Sequence, residues 1–323
     1  MAELSHRGLR ELIEKFGACD EYFTEMISAG ALISGGPFES WYTDTGPCPD
    51  RVVYQVAGPD IELVAAAVSL LDQHACAGID INMGCSAPGI VRTGAGVRWM
   101  ASIDRAGDLI RQVRKRTRRR LSVKLRTGLE DDFEYLAAFC KRLESEGLDR
   151  ITLHPRTAKE KFKRYARWEY VGRLRSAVRI PVAGNGDIAD AGELARRASG
   201  DCDAVMAGRL ALRSPWVFAE ARHIEKAAGM AGFQDGPVLP ASIDLEELGF
   251  EFLDLLARYQ PKEFHTSRAH RFFAYFCDNF TWATYLKNLL GRETGLSAMA
   301  GVLAVYFRDH PEERLKKIMV HER

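Results

Sequence analysis

The chain has 323 residues, 46% of them hydrophobic, enough for one large domain and a smaller one with a core each, which excludes disorder as the starting expectation. Its formal net charge of +1 neither demands nor excludes a polyanionic partner, so charge must be read locally. The seven scattered cysteines are never spaced as CxxC, and no run approaches the ~20 apolar residues of a membrane span, so a reduced, soluble, cytoplasmic protein without a structural metal is expected.

In chain order, an amphipathic helix over Leu9 to Phe16 comes first, with no strand before it. Seven apolar, β-rich runs then follow, at 22–27, 51–58, 78–84, 121–128, 150–156, 180–187 and 203–209. Between them, segments such as 60–76, 131–146, 168–178 and 189–199 place apolar residues at helical spacing and often open on an acid. Strand and helix alternate throughout, the pattern of a parallel α/β fold, and both a doubly wound sheet and a barrel satisfy it. Seven or eight successive units over about 220 residues favour a TIM (β/α)8 barrel, here with its first strand missing or truncated. After Phe218 the alternation stops, and a Gly- and Pro-rich stretch leads into a purely helical pattern that runs to Arg323. The expected organisation is therefore a barrel over 1–228, a linker over 229–242 and a small all-α domain over 243–323.

In barrels of this kind the reactive side chains sit where strands end and the following loops begin. Those positions carry Gln55, Asn82 and Cys85, Lys124 and Arg126, His154 and Arg156, Asn185 and Asp187, and Arg209. A lone cysteine is more often a small core residue, but at the tip of "DINMGC" Cys85 reads as a reactive group. Lys124 ends an otherwise apolar run, and a lysine in a barrel mouth needs an anionic partner, most simply a bound one. His154 taken singly fits a structural histidine, and Arg126 and Arg156 fit salt-bridged loop residues equally well. The glycines of "GNGD" and "AGR" let backbone N–H groups approach a phosphate after the last two strands.

Taken together, "EYFTEMISA", "QVAG", "DINMGC" followed by "GAG", "VKLRTG", "ITLHPRT", "IPVAGNGDI" and "VMAGRLALRSPWVF" resemble the flavin-dependent tRNA-dihydrouridine synthases, over nearly all of residues 5–220. The resemblance implies that FMN is the cofactor. Gln55, Lys124 and His154 would hold its isoalloxazine, and Asn185, Gly186, Asp187, Gly208 and Arg209 would surround its ribityl phosphate. It also implies that Cys85 is the catalytic acid, that tRNA is the partner and that NADPH is the reductant. Hydride would pass to C6 of a uracil, and Cys85 would supply the proton at C5. An ordinary thiol keeps its proton at neutral pH and so suits that task. The target base would have to be extruded from the folded RNA, with Asn82 reading the uracil and Arg126 and Arg156 as further substrate contacts.

Two departures from the family pattern stand out. Ser86 and Gly89 replace a proline and a lysine next to Cys85, which predicts a different loop geometry there. The family's first strand ends in an Ala-Pro-Met motif packed on the flavin, and Met1 falls at that methionine. Met1 is thus implied as a cofactor contact, and the natural chain is expected to start further upstream. Rival readings are a flavin-barrel oxidoreductase for a small dihydropyrimidine and an RNA-binding relative without cofactor.

Two basic runs bear on the RNA. "RQVRKRTRRR" (111–120) precedes a strand and is expected as a solvated helix end on the face opposite the mouth. "RTAKEKFKRYARW" (156–168) follows a strand on the active face and interleaves bases with aromatics, which suits phosphate contact and base stacking. In the helical region "HRFFAYFCDNFTWATYL" is expected to be core, with Arg268, Arg271 and Lys287 as exposed contacts, and the protein is expected to be a monomer.

Overall fold

A computed structural model describes residues 3–160, 163–200, 202–229 and 239–318. Met1, Lys161, Phe162 and most of the expected linker therefore lie outside the described residues. The chain divides into two compact units. A barrel unit holds 21–188 and 196–207, and a helical unit holds the residues up to Asp20 together with 189–195 and 208–323.

The barrel unit is built on seven parallel strands: β1 (Tyr22–Ser28), β2 (Val52–Ala57), β3 (Gly78–Met83), β4 (Arg120–Gly128), β5 (Arg150–Thr157), β6 (Val182–Asn185) and β7 (Ala204–Met206). They pair in sequence order, each with its successor, and helices occupy the connections, as in a TIM-like barrel. The seven apolar runs of the sequence thus become the seven strands. β2 and β3 are buried at every position, which is why they read as nearly unbroken apolar runs. Ile79, Ile81, Val123, Leu125, Ile151 and Leu153 from adjacent strands meet Leu109, Ile110, Leu136 and Phe139 from the covering helices in one continuous core. The helices begin where an acid or serine caps them: Asp60, Ser102 and Asp132 each accept the N–H three residues on.

Three of the seven bases in the run at 111–120, Arg114, Arg119 and Arg120, are structural. Arg114 donates to the carbonyls of Thr117 and Arg119, each at 2.6 Å, and pairs with Asp149 at 2.8 Å. Arg119 donates to the carbonyl of Cys76 at 2.8 Å and that of His74 at 2.9 Å. Arg120 and Arg150, which open β4 and β5, both pair with Glu21, the residue before β1. Pairing across the starts of nonadjacent strands requires the sheet to curl, and it places this charge at the end of the barrel opposite the strand tips. Arg111, Lys115, Arg116 and Arg118 remain exposed, so the expected solvated helix end holds for four of the seven bases.

In the helical unit, Leu9, Leu12 and Ile13 of the first helix (Arg7–Glu14) are buried, and that helix packs on the helix Leu245–Tyr259. The aromatic stretch is core at its phenylalanines, as its sequence predicts, while Trp282 and Tyr285 are exposed: Phe276 stacks on Phe272 at 5.1 Å, and Phe272 on Phe252 at 3.6 Å. Two expectations need correction here. The region is not purely helical, because β8 (Ser242–Asp244) pairs antiparallel with β9 (Leu315–Lys317). Arg268 is not an exposed contact but is buried, donating to Gln260 beside the Phe264 ring; Arg271 and Lys287 pair with Glu3 and Asp278. No helix among the described residues is long and apolar enough to cross a membrane.

Candidate active site

Parallel register decides which side chains share a face. Gln55 is aligned with Asp80, Asn82 with Lys124, Lys124 with Thr152, and Arg126 with His154. Because alternate residues of a strand point the same way, Asp80 and Asn82 of β3, Ser122, Lys124 and Arg126 of β4, and Thr152, His154 and Arg156 of β5 form one polar surface inside an otherwise apolar sheet.

Cys85 follows β3 by two residues and is half-buried with a free thiol. Its backbone is held from two sides. Its N–H donates to Asn82 Oδ1 at 2.5 Å, alongside that of Gly84 at 3.2 Å. Its carbonyl accepts from Val97 N at 2.9 Å. Gly96 makes that second contact possible: at φ +62° a Cβ on it would lie 2.3 Å from the Cys85 oxygen. The "GAG" of the sequence is thus the clamp that closes over the cysteine loop. Arg126, buried at the end of β4, donates Nε to the Gly84 carbonyl at 2.8 Å and Nη1 to the Thr157 carbonyl at 3.2 Å, tying the β3 and β5 loops together.

Gln55 and Asn82 are less free than their sequence positions suggest. Asn82 Nδ2 donates to Gln55 Oε1 at 2.9 Å, and Gln55 Nε2 donates to Asp80 Oδ2 at 2.8 Å. Ser122 Oγ donates to the other Asp80 oxygen at 2.6 Å. Asp80 and Ser122 were missed as site residues, although their signal is in the sequence: each stands two positions before a strand-end polar residue, in "DIN" and "SVK".

Lys124 has no hydrogen-bond or ion-pair partner among the described residues. Burial pulls its amine down to about 8 against the opposing attraction of the Asp80 carboxylate, while burial pushes Asp80 itself up. An amine so placed makes the local potential favourable to an anion.

The β5 and β6 tips form a second cluster. Arg156 is 3% exposed: Nε donates to the Arg164 carbonyl at 2.6 Å, Nη2 to both Asp187 oxygens at 2.8 and 2.7 Å, and Nη1 lies 3.0 Å from His154 Nε2. Since guanidinium can only donate, His154 Nε2 takes the acceptor side of that contact. Arg156, expected as a substrate contact, thus also braces the β5 and β6 tips, with most of its donors held inside the protein. Asp187, at φ +53°, also accepts from Ala166 N at 2.7 Å. Gly186, at φ +117°, keeps the turn against the histidine, where a Cβ would approach His154 Cδ2 to 2.7 Å. Asn185 donates to the Met206 carbonyl at 2.7 Å.

The loop after β5 is stapled at its base. Glu160 accepts from Thr157 N at 2.8 Å and pairs with Arg167, whose hydrogen bonds hold its carboxyl down to about 2. Lys159 pairs with Glu130, Arg167 also pairs with Asp131, and Trp168 is buried. Lys163, Arg164 and Tyr165 are left exposed, Tyr165 by 89%. In the helical unit, Gly208 precedes the short helix Arg209–Arg213, and the Arg209 side chain is exposed.

A parallel barrel sheet that gathers a thiol, an unpaired amine and a histidine at its strand ends has the architecture of a barrel enzyme. Residues 1–232 match the family described as "Dihydrouridine synthase (Dus)". A protein of Aquifex aeolicus named "Probable tRNA-dihydrouridine synthase" is 30% identical over 225 residues, 68% of this chain and 70% of the relative. A Mycobacterium tuberculosis protein of the same name is 33% identical over 206 residues, 62% of this chain and 53% of its own length, so the match spans about half of that relative. "tRNA-dihydrouridine synthase B" of Vibrio cholerae is 32% identical over 226 residues, 69% of each chain. The chain belongs to the dihydrouridine synthase family, a family of enzymes.

Proposed function

We propose that this protein reduces uridine in tRNA to 5,6-dihydrouridine, with FMN as its cofactor and NADPH as reductant, and that it works in the cytoplasm as a monomer. The observation that carries the reading is Cys85, held by two backbone clamps beside a lysine amine with no partner of its own. The donor set fits a flavin. Lys124 offers a positive charge, Gln55 Nε2 has one hydrogen beyond that given to Asp80, and Gly186 leaves room for the His154 ring. Lys124, Gln55 and His154 are the residues proposed for the isoalloxazine. The Asn185–Gly186–Asp187 turn is proposed for the phosphate, and Gly208 and Arg209 for the same group from the sequence pattern alone.

FMN, when bound and reduced, supplies the hydride for C6 of the uracil. The chain's own residues do the rest. Cys85 gives its thiol proton to C5, so hydride and proton together saturate the C5–C6 bond. Lys124 stabilises negative charge in the mouth, where low dielectric magnifies its effect. Asn82 keeps one Nδ2 hydrogen beyond that given to Gln55, available to a uracil carbonyl, and Arg126 retains an Nη2 with no partner among the described residues. Lys163, Arg164 and Tyr165, on a loop whose base is stapled, suit phosphate contact and stacking on an extruded or flanking base.

The test begins with the visible absorption spectrum of the purified chain and identification of any small molecule released on denaturation. It then measures dihydrouridine in unmodified tRNA after incubation with NADPH. FMN and dihydrouridine are expected, and Cys85→Ala is expected to keep the flavin and lose about 10²–10⁴-fold in rate. Unimpaired turnover by that variant would remove Cys85 from the chemistry. A chain that neither holds nor takes up FMN would overturn the reading.

A further inference from the structure

We propose that Asp80, braced by Ser122, is a positioning residue: its acceptor-only carboxylate sets the amide orientation of Gln55 and then of Asn82, so that Asn82 Oδ1 receives the Cys85 N–H and holds the thiol in place. The inference rests on the reading of Cys85 as proton donor, and it assigns a role to two residues outside the proposed cofactor and substrate contacts.

The argument is one of hydrogen-bond polarity. An amide side chain can turn over, exchanging its oxygen for its nitrogen, and only its partners decide which way round it sits. At one end of the chain the backbone N–H groups of Gly84 and Cys85 are obligate donors, so Asn82 must present its oxygen to them. Its nitrogen then faces Gln55, which must answer with Oε1 at 2.9 Å. That leaves Gln55 Nε2 pointing at residue 80, where only an acceptor is tolerated, and Asp80 Oδ2 lies 2.8 Å away. Ser122 Oγ occupies the other carboxylate oxygen at 2.6 Å and so holds the carboxylate plane. Asp80, Gln55 and Asn82 are all buried, so a mismatched donor–donor contact anywhere along the line could not be relieved by water. The same carboxylate favours the charged form of Lys124, which links the relay to the amine beside Cys85.

Polarity makes a prediction that packing alone does not. Asp80→Asn places an NH2 or an oxygen where two oxygens stood. With its NH2 toward Gln55 it reverses Gln55, then Asn82, and finally sets Asn82 Nδ2 against the Cys85 N–H. The double variant Asp80→Asn/Gln55→Glu moves the acceptor-only group one step along: Asn at 80 donates to Glu at 55, which still accepts from Asn82. Asn82 keeps its orientation, and so does the cysteine loop.

The measurement is amide hydrogen exchange across residues 83–86, with alkylation of Cys85 by iodoacetamide as a second readout; neither needs turnover or RNA. Asp80→Asn is expected to speed exchange there about tenfold, the scale of one lost hydrogen bond, and to change the alkylation rate. The double variant is expected to return both to within about threefold of the parent. Ser122→Ala, which leaves the polarity intact, is expected to move exchange by less than about threefold. Unchanged exchange in Asp80→Asn, no recovery in the double variant, or an effect of Ser122→Ala equal to that of Asp80→Asn would overturn the relay. If Asp80→Asn alone does not fold, the double variant decides: parental exchange supports the relay, and failure to fold overturns it. If the wild-type chain makes no dihydrouridine while these exchange patterns hold, the proposed activity fails and the relay stands.

Discussion

Lys124 shows most directly how one residue couples the site to pH. Burial lowers its amine to about 8 from an ordinary 10.5. The protonated form is the one that attracts an anion. FMN affinity of the cofactor-free chain is therefore expected to be constant below pH 8 and to fall as pH rises through it, approaching tenfold per unit. Lys124→Met is expected to bind more weakly and to lose this dependence; fluorescence titration of FMN at several pH values reads both, and a slope that survives the substitution would assign it elsewhere. The stability sign is opposite. A base whose folded pKa is depressed binds fewer protons folded than unfolded between about 8 and 10.5, so over that window the free chain gains stability as pH rises. At this scale the sequence was informative about which residues gather and less so about what each does. Cys85 and Lys124 declare themselves by chemistry at a strand end. Asn82, Gln55 and Arg156 do not, because the contest for their donors and acceptors is settled by partners that a strand-end pattern does not reveal: Asp80 for Gln55, Asp187 for Arg156, and the Cys85 N–H for Asn82.

Elements were the most legible level, since each strand is an apolar run of the right length between turn signals, and all seven fall close to where those runs predict. Loops were harder to read. The segment after β5 reads as a row of bases among aromatics, yet its charges divide into structural and exposed sets that depend on Glu130, Asp131, Glu160 and Asp187. Glu160 joins the loop's two arms through Arg167 and Thr157 N. Its folded pKa is depressed to about 2, so its contribution is fully present above the ordinary carboxylate value near 4.3 and is lost as pH falls toward 2. Glu160→Gln is expected to loosen residues 157–168 at neutral pH, with faster amide exchange and proteolysis at the exposed Lys163 and Arg164, and to raise KM for tRNA more than it lowers kcat. An unchanged loop in that variant would mean that Arg156 and Asp187 suffice to hold it.

At the scale of the whole molecule, sequence order hides the architecture. A linear reading puts the first helix with the barrel because it precedes the strands, yet its apolar side belongs with a helix more than 200 residues later. The reason is in the side chains. Leu9, Leu12 and Ile13 recur at helical spacing and need an apolar partner surface, which Leu248, Phe252 and Leu255 provide on the helix Leu245–Tyr259. Lys15 pairs with Glu247 at 2.7 Å and Glu251 at 2.6 Å, and the Arg7 guanidinium lies 3.9 Å from the Tyr259 ring centroid. Exposed ion pairs of this kind add little, so the buried leucines carry the docking. Leu12, with no exposed surface, is the residue to remove. Leu12→Ala is expected to destabilise the helical unit by about 2–5 kcal/mol, from lost transfer energy and the cavity left behind. Amide exchange over 245–259 should rise accordingly, with the β4 peptide as internal reference, and Leu12→Met should cost under ~1.5 kcal/mol because it conserves volume. Protection over 245–259 that survives Leu12→Ala would mean the first helix adds nothing to the fold of the unit it joins.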